Sequence, residues 1–221
     1  MAEADSSPPL KPQECREPTL EDLVKLCRAL NAAGARYVVV GGFAIRAAGF
    51  IRNTMDVDLL VQTGPDNEAR VIQGLLSLPD QAARELKPGE VDEYGIVRVG
   101  DEILVDLMRS GCGVDYAEAV RDAVVRELEG VPIPFASPPT LWRMKQTVRE
   151  KDAPDRLFLR QWHEAHGIKL DPPLSPAAED PVTPMVTSAR TCPAPSVAKR
   201  RGVRTGAVQD LADFRAASSP R

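Results

Sequence analysis

RNTMDVDLLVQ (residues 52–62) ends in an apolar run of the kind that makes a buried strand, yet it carries Asp56 and Asp58 one residue apart. Side chains on a strand alternate between its faces, so the two acids share one side while Val57, Leu59 and Val61 share the other. A carboxylate taken into a core without a partner costs several kcal/mol. The stretch therefore predicts a strand with one core face and one charged face, and something to balance the charge. A third acid stands in a similar setting, Asp106 in EILVDLM (102–108). If the two strands are neighbours, three carboxylates meet on one side of a sheet and raise one another's pKa. A divalent cation would relieve the repulsion. Hard oxygen ligands on a rigid sheet suit Mg²⁺, with Mn²⁺ as the substitute.

Upstream, YVVVGGFAIRAAG (37–49) reads as a strand, a Gly41-Gly42 turn and the start of a short helix. Glycine lets the backbone approach a ligand closely, and N–H groups at a helix start face an anion. A phosphate cradle followed by metal-binding acids is an arrangement that serves a nucleoside triphosphate. Between the two lie Arg52, placed to hold a phosphate, and Thr54, placed to orient a carboxylate. Both fall on the acids' side if the chain stays extended. Taken singly, each feature has a plainer reading. Gly-Gly after a strand is a turn, Asp at i and i+2 is a solvent-facing strand edge, and Asp106 is a strand-end acid. The combination in this order is more specific than its parts.

Around this centre the chain has 221 residues, 43% hydrophobic and 27% charged, with a net charge of −4. That is the profile of a globular protein and not of a polycation that coats nucleic acid. Eight of the 20 prolines fall in residues 171–221, so that tail, like residues 1–17, is expected to be largely without order. The nucleotide-site core is expected over 18–137, and a helical part of the same domain over 138–170. The basic cluster KRRGVRTG (199–206) is a candidate contact for RNA, against the plainer reading of solvated charge. The N-terminus lacks a signal-peptide pattern. YVVVGGFAI is too short to span a bilayer, which predicts no membrane. Four cysteines without a CxxC spacing read as reduced thiols in a cytoplasmic protein.

Periodicity predicts a helix from Thr19, its N-cap, to Gly34, and a helix over 66–78. Strands at 94–100 and 102–108 are expected to form a hairpin turning at Gly100-Asp101. A second hairpin over 123–136 turns at Glu129-Gly130, and Pro132 and Pro134 predict an edge position for its second strand. Two helices, 139–150 and 152–167, close the domain. The class is α+β, with a small mixed central sheet flanked by helices. His163 and His166 sit at i, i+3, one residue short of the zinc-protease spacing, and read as helix-end histidines.

On these residues the chain resembles the nucleotidyltransferase superfamily with the DNA polymerase beta-like fold. That pattern is Gly-Gly or Gly-Ser at a strand end, a short helix, Asp-x-Asp, then one more Asp on a later strand. GGFAIRAAGFIRNTMDVDLLV is similar to the small bacterial branch that includes AbiEii-type toxins. There Arg-x-Thr-x-Asp-x-Asp matches Arg52, Thr54, Asp56 and Asp58. A helical Leu-x-x-x-Lys followed by Arg-x-Lys-Asp-x-x-Asp matches Leu141, Lys145, Arg149, Lys151, Asp152 and Asp155. The likeness covers about residues 20–165. Phe43 stands where many members have Ser, and Pro154 interrupts an apolar position of the last motif.

The resemblance implies transfer of a nucleoside monophosphate from a nucleoside triphosphate to an acceptor hydroxyl on RNA or tRNA, protein or a small molecule, with two Mg²⁺ ions. It also implies a toxin–antitoxin or abortive-infection setting with a cognate partner. Asp56, Asp58 and Asp106 would be metal ligands and catalytic groups, and Lys145 would neutralise the departing pyrophosphate. Gly41, Gly42, Arg52 and Thr54 would bind the nucleotide. Arg149, Asp152 and Asp155 would stand behind them, with Asp152 capping the last helix and Asp155 pairing with Arg149 or Lys145. The alternative is a catalytically inactive module of the same fold that binds a nucleotide or a partner.

Overall fold

In the computed structural model, which describes residues 14–147, 149–170 and 185–188, residues 56–61 form the middle strand of a seven-stranded mixed sheet. In chain order the elements are α1 (Leu20–Ala32), β1 (Tyr37–Val39), α2 (Gly41–Ala47), β2 (Asp56–Val61), α3 (Pro65–Leu75), α4 (Glu90–Tyr94), β3 (Ile96–Gly100) and β4 (Leu104–Met108). There follow β5 (Ser110–Gly111), β6 (Val114–Asp115), α5 (Tyr116–Ala119), β7 (Val124–Leu128), β8 (Val131–Phe135), α6 (Pro138–Met144), α7 (Ala153–Ala165) and β9 (Met185–Ser188). The sheet order is β7-β8-β1-β2-β4-β3-β9, and β5 and β6 make a separate small hairpin. The class is α+β, as the element pattern predicts.

Local chemistry explains most of these elements. Thr19 caps α1 through a capping box: its hydroxyl accepts from the Asp22 N–H, and the Asp22 carboxylate accepts from the Thr19 N–H. Leu23, Val24, Leu26, Cys27 and Leu30 of α1 are fully buried. Glu129 and Gly130 both take positive φ, 49° and 72°, as a two-residue turn matched to strand twist requires. Along β2 the burial alternates only at its start, at Asp56 to Asp58. From Leu59 to Val61 every residue is buried, so the open part of the acid face is the strand's first half.

Four expectations need correction. The edge is β7, not the proline-bearing β8. Beyond the hairpin, β8 has one register partner, Phe135 with Val39 of β1. The Pro132 carbonyl instead accepts the Asn31 side-chain amide at 2.8 Å. The missing proline donors therefore cost no ladder bond on that side. The helix expected over 139–150 stops at Met144, and a 3-10 turn (Glu150–Asp152) leads into α7. Before residue 18 the chain already has structure: Arg16 bridges to Ile103 and pairs with Asp22 and Glu102. From the C-terminal tail, β9 adds to β3 in parallel. The rest of that tail, with its basic cluster 199–206, lies outside the described residues. Among the described residues no helix is long and apolar enough to cross a membrane.

Candidate metal centre

The acidic row is assembled by strand register. β2 and β4 pair in parallel, and Asp58 lies directly opposite Asp106. Opposed residues point to the same face, so Asp56, Asp58 and Asp106 converge on one side of the sheet. One carboxylate oxygen from each lies within 4.8 Å of the other two, a donor set that could hold a metal ion. The strand of Asp106 is thus the direct neighbour of the strand of Asp58, as the convergence of the three acids requires. The electrostatics agree with the crowding. Burial first, then the charges of Asp56 and Asp106, push the Asp58 carboxyl up to about 7, while Lys145 and Lys151 pull it down.

Gly41 and Gly42 seat this row directly. A Cβ on Gly41, whose φ is 60°, would lie 1.8 Å from Asp58 Oδ2. One on Gly42 would lie 2.3 Å from the Thr54 hydroxyl. The glycines thus make room for the site's own side chains, which is a requirement separate from any phosphate. Thr54 is buried and its hydroxyl donates to the Asp56 carbonyl at 3.1 Å and Oδ1 at 3.2 Å. It orients a carboxylate, although it precedes β2 and is not part of an extended strand.

Arg52 is engaged by residues other than the row. It forms an ion pair with Asp155 of α7 and donates from Nε to the Asn53 carbonyl. Lys145 sits between Asp152, at 2.8 Å, and Asp155, at 3.1 Å. Asp152 is at the start of α7, but its side chain makes no cap. Its oxygens are taken by Lys145, by the Thr147 hydroxyl at 2.6 Å and by Arg149 at 2.9 Å. Burial raises the Asp152 pKa, but these donors outweigh it and hold the carboxyl at about 2. Asp155 pairs with Lys145 and Arg52 and not with Arg149. The helical half thus places a satisfied, buried ion network beside the acidic row.

One residue at the site escaped the sequence reading. Arg98 of β3 faces Asp106 across the β3–β4 hairpin. It donates from Nε to Oδ1 at 2.8 Å and from Nη2 to Oδ2 at 2.7 Å. The signal was the hairpin register, which depends on a loop of three residues, 101–103, between the strands. A two-residue turn at Gly100-Asp101 would pair Asp106 with residue 95 instead.

Other candidates resolve into structure. His163 and His166 each donate from Nδ1 to a carbonyl one turn back, at 2.7 Å, and pack on Trp162. Cys112 is not disulfide-bonded and reaches the Met144 carbonyl at 3.3 Å. Cys15 is disulfide-bonded, which corrects the reading of four reduced thiols. A cleft of about 520 Å³ lies beyond the far end of β2, lined by Arg36, Gln62 and the start of α3, and the acidic row does not line it. The sequence matches no protein-family model and no curated protein.

Proposed function

We propose that the chain is a metal-dependent nucleotidyltransferase that moves a nucleoside monophosphate from a nucleoside triphosphate to an acceptor hydroxyl. One observation carries the reading: Asp58 lies opposite Asp106 on the neighbouring strand, with Asp56 on the same face. The residues fit a hard divalent cation such as Mg²⁺, since three oxygens converge and Asp58 is crowded enough to be held near neutral pH as an acid. When bound, such ions would stabilise charge on the transferring phosphate and lower the pKa of an attacking hydroxyl.

The chain's own residues supply the rest. Asp56 and Asp58 would hold the cation, with Thr54 fixing Asp56. Asp106, once free of Arg98, would share it or take the acceptor's proton. The acceptor oxygen bonds to the α-phosphorus, the bond to the bridging oxygen breaks, and pyrophosphate leaves with the electron pair. Lys145 lies close enough for its charge to act on Asp58 and would offset negative charge as pyrophosphate departs. The Gly41-Gly42 backbone would face the phosphates. The acceptor class, whether RNA, protein or small molecule, is what the assay must find.

Incubation with labelled nucleoside triphosphates, Mg²⁺ and total tRNA or cell protein tests the proposal. Label is expected in an acceptor with the wild type and not with Asp56→Ala plus Asp58→Ala. Equal labelling by both would overturn it. The Arg98 fork on Asp106 favours one second reading, a site that binds a nucleotide without turnover. Tight nucleotide binding with no product in any acceptor fraction would select that reading.

A further inference from the structure

We infer that Arg98 gates the acidic row, keeping Asp106 out of the ligand set so that the third acid joins only when the guanidinium lets go. This rests on the metal-dependent reading above and names the residue that would regulate it. The pair is built in. Arg98 and Asp106 are register partners on adjacent antiparallel strands, so the hairpin itself presents the fork to the carboxylate. Both Asp106 oxygens are engaged, at 2.8 and 2.7 Å, in the bidentate geometry that makes arginine–carboxylate pairs strong. Asp106 is only 6% exposed, so water competes little for it.

Lys151 acts on Asp58 through its charge, while Lys145 and Arg52 are committed elsewhere. Lys145 is shared by Asp152 and Asp155, and Arg52 is bound to Asp155. Among the described residues, Arg98 is the cation that hydrogen-bonds to an acid of the row. Its presence has two effects. It removes the Asp106 oxygens from use, and it places a positive charge against one acid of the row. Its side chain is about a third exposed, so an outward rotation needs no change in the sheet. Released, it offers a donor fork to a phosphate oxygen. The resting site is thus a two-acid site, Asp56 with Asp58, and becomes a three-acid site by exchange of arginine for metal on Asp106.

The test is Mn²⁺ binding to the full chain without nucleotide, read from the electron paramagnetic resonance of the free ion at pH 8. Removing the gate should tighten binding. Arg98→Gln is expected to bind Mn²⁺ about tenfold more tightly than wild type, the usual scale for changes around a ligand. Arg98→Lys keeps the charge but loses the fork and should fall between them. Arg98→Gln with Asp106→Asn should return to the wild-type level. Equal or weaker binding by a natively folded Arg98→Gln, checked by circular dichroism, would overturn the gate. If that variant fails to fold, Arg98→Lys decides by the same comparison. Should Asp56→Ala plus Asp58→Ala abolish Mn²⁺ binding while the arginine variants match wild type, the gate falls and the metal reading stands. Absence of Mn²⁺ binding by wild type and every variant removes both.

Discussion

At the scale of single residues, Asp58 dominates the pH response. Its carboxyl is raised to about 7 by burial and by Asp56 and Asp106. An acid with a raised folded pKa binds protons more tightly when folded than when unfolded. Its contribution is therefore full below about pH 4, the unfolded value, and is lost as pH rises to about 7. Asp152, and Asp22 of the capping box, are held at about 2 in spite of burial. Their contribution is present above about pH 4 and is lost as pH falls toward 2. The metal-free protein is thus expected to be most stable in mildly acid solution and less stable at neutral pH. Added Mg²⁺ should flatten the loss between pH 5 and 7, as urea melts at several pH values would show. A rise in stability toward pH 7 without metal would contradict this assignment. Gly41→Ala is a second test. Its Cβ would sit on the Asp58 carboxylate at a left-handed φ. A loss of at least about 1 kcal/mol in urea stability is expected, together with loss of Mn²⁺ binding.

At the scale of elements, the turn between α6 and α7 is held by charges. Lys145, Thr147 and Arg149 all reach Asp152, and Arg156 donates to the Lys145 and Thr147 carbonyls. Asp152 and Asp155 are each 1% exposed. Asp155→Ala leaves Lys145 with Asp152 but takes the carboxylate from the partly exposed Arg52, and should cost about 1–3 kcal/mol. The double change Asp155→Leu with Arg52→Met should recover part of that, as denaturant melts would show.

The same element shows where sequence reading stops. Alternation over Asp56 to Asp58 and the Thr19 and Asp22 pair are local, and both were legible. That α6 ends at Met144 was not, because three donors leave the helix for a carboxylate whose position only the tertiary fold defines. Arg98 was missed for a related reason. Its meeting with Asp106 depends on loop length, and a shift of one residue moves a side chain to the other face. Pro132 and Pro134 misled in the opposite sense, since a strand next to an unpaired stretch tolerates proline as an edge does.

At the scale of the whole molecule, the two sheet borders differ. β9, from the tail, covers the outer side of β3, the strand that carries Arg98. On the other border β7 exposes Val124 and Val125, the latter 63% exposed. Ending the chain at residue 170 would uncover the β3 ladder. That form is expected to self-associate at concentrations where the full chain does not, as sedimentation would reveal. Monomeric behaviour of the shortened chain would show that β9 does not protect this border.

The parallel pairing of β2 with β4 also has a kinetic side. Asp58 and Asp106 are 48 positions apart in the chain, so the ladder that aligns them closes a long loop before it returns any energy. As the strands approach, like charges meet while the surrounding packing is still incomplete. The acidic row should therefore act as a brake on folding as well as a feature of the folded state. Divalent cations present during refolding, or Asp106→Asn, should release that brake and speed the observed folding phase if β2 and β4 are already joined in the transition state.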